Sequence, residues 1–268
     1  MDIFLLTGTR IGGSPPGTAV RSQEPIFDPL VVLSYLAHAT TKVKLAIGVL
    51  IIPYRNPVIT AKWLATLDVI SGGRVLLGAG VGWLKDEFEA VDVPFETRGP
   101  MTDEYIELMR ALWTQDTPEF DGRFYHLNPG FHFLPKPLQG SIPVWIGGNS
   151  GLAVKRAARL GDGYFSAYAS FDDLAERRRR LYGMLQAEGR DGAAFSFSGQ
   201  ARYFVYEEPY PDAPPCIGTP QKIADDIMRF KEMGLHHLQL APPPGPTKDF
   251  VLEQVRRFAE DVKPKLDL

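Results

Sequence analysis

The sequence predicts an α/β fold in which a mostly parallel sheet is covered by helices. Three observations carry that expectation. From about residue 43 short apolar runs alternate with longer amphipathic stretches. The run from Val43 to Ile52 is apolar almost without interruption, as a strand buried on both faces is. The connections between the runs are short, which is the pattern of repeated strand–helix units. Periodicity alone leaves a barrel and an open doubly wound sheet equally open.

The elements follow in order. A helix is expected over Phe27–Thr40, and Val43-Lys-Leu-Ala-Ile-Gly-Val-Leu-Ile-Ile52 reads as a buried strand. Val58, Ile59, Trp63, Leu64 and Leu67 have helical spacing, and Gly72-Gly73 closes that helix before the strand beginning at Arg74. Residues 84–91 and 102–113 form a helical layer broken around Pro94 and Gly99-Pro100, with Asp103 and Glu104 suiting a first turn. Residues 116–140, rich in Pro, Gly and aromatics, read as an inserted hairpin or excursion, and Asp121-Gly122 is its turn signal. Helices are then expected over 152–160, 171–188, 219–233 and 250–262. The six expected parallel strands lie near 43–51, 74–79, 143–147, 162–166, 197–206 and 236–241. The proline-rich patches at 209–215 and 242–246 read as loops.

Composition narrows the class of protein. The 268 residues are 44% hydrophobic and 23% charged, with a formal net charge of -3. That suits one soluble domain spanning 1–268, with no electrostatic call for nucleic acid or an anionic membrane. The single cysteine, Cys216, excludes an intrachain disulfide and a multi-cysteine metal site, so a cytoplasmic protein is expected. No apolar run is long enough to cross a bilayer.

The most informative stretch is Pro143-Val-Trp-Ile-Gly-Gly-Asn-Ser-Gly-Leu-Ala153. A buried strand ends in Gly147 and Gly148, and Asn149 and Ser150 stand where a helix N-cap belongs. Glycines let backbone N–H groups approach a ligand, and a helix start adds a partial positive charge, which together suit a phosphate. A plain strand-to-helix turn with a Ser or Asn cap explains the same residues. Gly78-Ala-Gly-Val-Gly-Trp83 departs from the dinucleotide fingerprint, because its third glycine comes one residue early and no acidic residue ends a following strand. It reads instead as a ligand-facing loop against which a flat ring can lie.

Other polar groups read as structural. His236 and His237 are neighbours on a strand and face opposite sides, so no shared metal is expected. Arg177-Arg-Arg-Arg180 is read as a solvated helix face rather than an anion site, and Asp86, Glu87 and Glu89 as the wet face of a helix. Asp68 and Arg74 flank a turn as an ion pair or as caps. No residue can be assigned a catalytic role.

Several segments, taken in order, resemble the luciferase-like monooxygenase family, particularly its coenzyme F-420-dependent oxidoreductase branch. They are Gly48-Val-Leu-Ile-Ile-Pro-Tyr-Arg-Asn-Pro57, Thr66-Leu-Asp-Val-Ile-Ser-Gly-Gly-Arg74, Gly78–Trp83 running into Glu87-Phe-Glu89, Arg98-Gly99 with Asp103-Glu104, Gly122-Arg-Phe-Tyr125, Leu134-Pro-Lys-Pro137, Trp145–Asn149, Leu160-Gly-Asp-Gly163 and Gly218-Thr-Pro220. The resemblance spans roughly residues 26–262. It implies a (β/α)₈ TIM barrel with a cofactor across the C-terminal mouth. Carried over by position, Gly147, Gly148, Asn149 and Ser150 match the family's phosphate-binding turn. Gly80, Gly82 and Trp83 match the loop bordering the tricyclic ring, and Val49-Leu50 matches a strand-end bulge that often holds a non-proline cis peptide.

One departure stands out: about 25 residues precede the helix at Phe27, too few for the family's first βαβ unit, and Gly8, Gly12, Gly13, Pro15, Pro16 and Gly17 make them loop-like. A barrel lacking that unit is expected, with Met1–Leu6 either the tail of its second strand or a loop. Edges at 43–51 and 236–241 would then need cover from the N-terminal residues or a partner chain. The resemblance implies an oxidoreductase moving a hydride between a deazaflavin (coenzyme F-420) and a small organic substrate. The alternatives are an FMN-dependent monooxygenase and, in another class, a non-catalytic flavin-binding remnant. The partners entertained are a small-molecule substrate and a second copy of the chain as a homodimer.

Overall fold

A computed structural model describes residues 4–7, 27–167, 170–209, 211–241 and 247–266. The chain divides into two compact units, one formed by Asp2–Gly147 with Leu160–Asp162 and the other by Gly148–Arg159 with Gly163–Leu268.

The N-terminal unit runs β1 (Phe4–Thr7), α1 (Pro29–Ala39), β2 (Lys44–Ile51), α2 (Pro57–Ser71), β3 (Val75–Gly80), α3 (Lys85–Ala90), α4 (Arg98–Thr114), β4 (Phe120–Asp121), β5 (His126–Leu127) and β6 (Val144–Gly147). Its strands β1, β2, β3 and β6 pair in that order, all parallel. Every residue of β3 is buried, as its apolar sequence requires of a strand covered on both faces. Asp28 and Asn56 cap α1 and α2 by accepting the N–H groups of the second and third residues beyond them, and a proline opens each helix. Gly72, left-handed at φ 72°, closes α2. Trp113 of α4 is buried and donates its indole N–H to the Ala61 carbonyl of α2 at 3.1 Å.

The cover expected from the N-terminal residues for the strand at 43–51 is present in this unit, and other expectations are corrected. The strand at 43–51 is not an edge, because β1 pairs with it from Phe4↔Lys44 to Thr7↔Ile47. Residues 4–7 therefore supply the cover that the open edge demanded, and a seventh parallel strand joins the six expected. Gly99 and Pro100 do not break the helical layer. They lie in the first turn of α4, where a missing proline N–H is an orphan in any case. Asp103 and Glu104 consequently fall in the second turn. Glu104 instead accepts the backbone N–H groups of Arg123, Phe124 and Tyr125, each at 2.8 Å, and so holds the β4–β5 hairpin. Asp68 and Arg74 form no ion pair with each other. Asp68 is buried and bonded to Gln139 and the Val75 N–H, whereas Arg74 caps the C-terminus of α1 through the carbonyls of Ala37 and Thr40. Residues 8–26, with the glycines and prolines read as loop, lie outside the described residues, as does the proline-rich patch 242–246.

The C-terminal unit contains α5 (Gly151–Leu160), β7 (Gly163–Ser166), α6 (Phe171–Ala187), β8 (Ser196–Arg202), β9 (Phe204–Val205), β10 (Ile217–Gly218), α7 (Pro220–Glu232), β11 (His237–Ala241) and α8 (Lys248–Arg257), with a π-helical turn over Phe258–Val262. Only the last residue of α5, Leu160, falls to the other unit. Strands β7, β8 and β11 are parallel neighbours. The strand expected over 197–206 breaks at Tyr203, whose N–H turns to the Ala241 carbonyl, and β9 then pairs with β10. Ser170, Thr219 and Thr247 cap α6, α7 and α8 through their hydroxyls. A Cβ on Gly199 would stand 2.9 Å from Leu235 and 3.4 Å from Leu174, so this position faces the helices. Ser198 and Gln200 therefore face the other side of the sheet.

Candidate active site

In the N-terminal unit the candidate site is built on the end of β2. The β2–β3 register shifts between Ile47 and Leu50, and the peptide bond Gly48–Val49 is cis. The bulge thus sits where the resemblance placed it, with the cis bond at the first residue of the Val49-Leu50 pair. Leu50 is fully buried, while Val49 is partly exposed. A Cβ added at Gly80 would fall 2.5 Å from Val49 Cγ2, and one at Gly147 would fall 2.5 Å from Val49 Cγ1. At Gly78 it would meet the Ile47 carbonyl oxygen at 2.1 Å. Glycine at these positions makes room first of all for the bulge and its valine. The outcome is a wall of backbone and valine methyls on the ends of β2, β3 and β6, from which no side chain of residue 80 or 147 projects.

Gly82 is glycine for a different reason. Its φ is +80°, and a Cβ would press within 2.7 Å of the Phe88 ring. Trp83 follows with 59% of its surface exposed. Because β3 and β6 are adjacent and parallel, the 80–83 loop and the turn beginning at Gly147 leave the sheet at the same end.

Glu87 corrects the reading of α3 as wet at every acidic position. The residue is buried, 6% exposed, and its carboxylate accepts the Tyr54 hydroxyl at 2.9 Å, while the Tyr54 ring packs edge-on against Phe88. Burial foremost, then the hydrogen bond to Glu87 and its charge, push the Tyr54 phenol well above its ordinary range. Asp86 and Glu89 are exposed as expected.

In the C-terminal unit the turn of Gly148, Asn149 and Ser150 leads into α5. Gly148, at φ +124°, spends its N–H on the Phe165 carbonyl at 3.3 Å and accepts the buried Tyr164 hydroxyl at 2.6 Å. Ser150 caps α5, its Oγ 3.2 Å from the Ala153 N–H. The donors left to a ligand are those of the residues after Gly148, where the helix opens. Asn149 Oδ1 accepts the Ala167 N–H at 3.1 Å and Arg177 Nη1 at 3.0 Å.

That last contact corrects the reading of the arginine run. Arg179 and Arg180 both pair with Glu176 and remain exposed, and Arg178 stacks on Tyr182 with its guanidinium 4.4 Å from the ring. Arg177 alone turns toward β7, where Nη1 also reaches Ser166 Oγ at 2.8 Å and the Ala167 carbonyl at 3.3 Å. Four consecutive residues on a helix point in different directions, so one of the four could face the turn without the rest. Glu87 and Arg177 are thus the two functional candidates that sequence reasoning set aside. The local signals for Glu87 were the apolar Phe88 beside it and its place in the Glu87-Phe-Glu89 segment that carries the family resemblance.

In each unit these residues follow the C-terminal ends of parallel strands, where folds of repeated βα units carry their ligand sites. Residues 12–210 match the family model of the luciferase-like monooxygenases, and the chain belongs to that family. An uncharacterized protein of Mycobacterium tuberculosis is 39% identical over 166 residues, 62% of this chain and 58% of that protein. The FMNH(2)-dependent dimethylsulfone monooxygenase of Pseudomonas putida is 38% identical over 135 residues, 49% of this chain and 37% of the enzyme. These alignments take in less than two thirds of either relative. Among solved structures, the coenzyme F-420-dependent tetrahydromethanopterin reductase of Methanopyrus kandleri superposes with a TM-score of 0.76 at 19% identity. The superposition covers 90% of this chain and 88% of the reductase. The fold is therefore the luciferase-like (β/α)₈ barrel type, with seven of its parallel strands among the described residues. Members of the family are oxidoreductases or monooxygenases, and both deazaflavin- and flavin-dependent enzymes occur among its relatives. No described helix is long and apolar enough to cross a membrane.

Proposed function

We propose that this chain is an oxidoreductase that uses a deazaflavin, coenzyme F-420, to move a hydride to or from a small organic substrate. The observation that carries the reading is the wall of backbone and Val49 methyls on the ends of β2, β3 and β6, from which no side chain of residue 80 or 147 projects toward a planar ring. The residues fit such a group. Within the N-terminal unit Val49, Gly80 and Gly147 would back the ring and Gly82 and Trp83 would border it; within the C-terminal unit the turn from Gly148 through Asn149 and Ser150 has the donors suited to a phosphate. Leu50, fully buried, supports the bulge from within.

The bound cofactor supplies the hydride chemistry itself. The chain's own part is to hold the ring face against the Val49 wall and to place the phosphate at a helix start, where N–H groups and a partial positive charge favour an anion. Trp83 offers an apolar surface that sheds water from the neighbourhood of the ring. No described side chain is assigned proton transfer.

A second reading, an FMN-dependent monooxygenase, is favoured by the 38% identity to the FMNH(2)-dependent enzyme over half of this chain. One experiment separates the two. The purified protein is titrated anaerobically with reduced F-420 and with reduced FMN, following absorbance, and any co-purifying ligand is extracted and weighed by mass spectrometry. Oxidation of reduced F-420 with a carbonyl compound and without oxygen supports the first reading. Turnover only with reduced FMN and oxygen replaces it by the second. Tight binding of either cofactor without turnover would make the chain a flavin-binding remnant. Binding of neither would remove the cofactor reading altogether.

A further inference from the structure

We propose that Arg177 is a specificity residue for the cofactor's phosphate, supplying the full positive charge that the turn at Gly148, Asn149 and Ser150 lacks; this rests on the cofactor reading above. A guanidinium carries five N–H donors. One of its three nitrogens, Nη1, meets Asn149 Oδ1 at 3.0 Å, Ser166 Oγ at 2.8 Å and the Ala167 carbonyl at 3.3 Å. Those three contacts fix the group beside Asn149, two residues before α5 begins at Gly151. No acceptor among the described residues engages Nη2 or Nε, and no carboxylate there forms an ion pair with Arg177.

The electrostatics make the placement informative. The start of α5 carries a partial positive charge, and a guanidinium next to it is a like-charge neighbour. A structural tie needs no charge: glutamine or a hydroxyl could bridge the same neutral oxygens. Arginine half-buried at the positive end of a helix is understandable when an anion sits between the two, receiving a charge-assisted bond from the guanidinium and backbone N–H groups from the helix. The field already reaches its neighbours. The Asp173 carboxyl, one turn earlier on α6, is held below its usual range first by hydrogen bonds from Ser170 and then by Arg177. The buried Tyr164 phenol is pushed up by burial, and Arg177 works against that rise.

The test compares FMN with riboflavin, which carries the same ring but no phosphate, by flavin fluorescence titration of the whole chain, with coenzyme F-420 as a third probe. In the parent protein FMN is expected to bind more tightly than riboflavin. Arg177→Ala should weaken FMN and F-420 roughly ten- to a hundredfold, the worth of one charge-assisted bond, and leave riboflavin unchanged. Arg177→Lys, a cation without the fork, should recover part of the loss. Asn149→Asp gives Arg177 a carboxylate partner, so it should keep the melting temperature and still cost FMN affinity. An equal loss of FMN and riboflavin in Arg177→Ala would show a merely structural tie and overturn the proposal. Unchanged FMN affinity in that variant would overturn it while leaving the cofactor reading intact. A parent protein with no preference for FMN or F-420 over riboflavin would refute both.

Discussion

Replacing Gly147 by alanine tests why the candidate site is lined with glycine. The new Cβ would stand 2.5 Å from Val49 Cγ1, roughly 1 Å inside ordinary carbon–carbon contact. Gly147 has no positive φ among its constraints, so the added methyl acts only through that clash. A β-branched side chain cannot swing aside freely, because its χ1 is stiff. Overpacking of this kind costs about 1–3 kcal/mol. Val49→Ala alone removes two partly exposed methyls and should cost about 1 kcal/mol. The double variant should therefore be as stable as Val49→Ala, with a coupling energy of about 1–3 kcal/mol between the two sites. Gly78→Ala is the control: its Cβ would meet the backbone oxygen of Ile47 at 2.1 Å, which no trimming of Val49 relieves. Urea unfolding followed by circular dichroism gives the midpoints and slopes of the parent, the three single variants and the two doubles with Val49→Ala. If Val49→Ala left the cost of Gly147→Ala undiminished, or rescued Gly78→Ala equally well, the packing account of these glycines would be wrong.

Further outcomes follow from the same geometry. Glu104→Ala strips an acceptor from three backbone N–H groups, so amide exchange at 123–125 should quicken and stability should fall by about 1–3 kcal/mol. Tyr54 has a folded-state pKa raised above its ordinary value of 10.0, so the folded chain keeps a proton that the unfolded chain gives up. Stability should then decline as pH rises past about 10, and denaturant melts of Tyr54→Phe should lack that part of the decline. Burial, followed by the charge of Asp226, pushes the Cys216 thiol up, so a thiol reagent should label the native protein slowly and the urea-unfolded protein at once.

Alternating apolar runs and capped helices are local properties, and the sequence by itself determined them. Asp28, Asn56, Ser170 and Thr219 each cap the helix that follows them through a neighbour two or three residues away. The strands at 44–51 and 75–80 were legible for the same reason, since a strand buried on both faces is nearly all apolar, whereas the one expected over 197–206 carries Ser, Gln and Arg and breaks at Tyr203. The seventh, Phe4–Thr7, was legible only as one of two alternatives for Met1–Leu6, a strand tail or a loop, and its pairing with a strand forty residues away decides for the strand. The order of motifs marked the family, but not the reason for each glycine.

Tertiary structure alone decided the contacts between residues distant in sequence. That Gly80 and Gly147 yield space to Val49 depends on three strands meeting. Glu87 is buried because Tyr54, 33 residues earlier, lies against it, and a helical wheel of α3 contains no trace of that. Arg177 looks like its three neighbours in the sequence and differs only in what it faces. A single turn of helix sends adjacent side chains in directions about 100° apart, so which arginine meets Asn149 is settled by packing and not by composition.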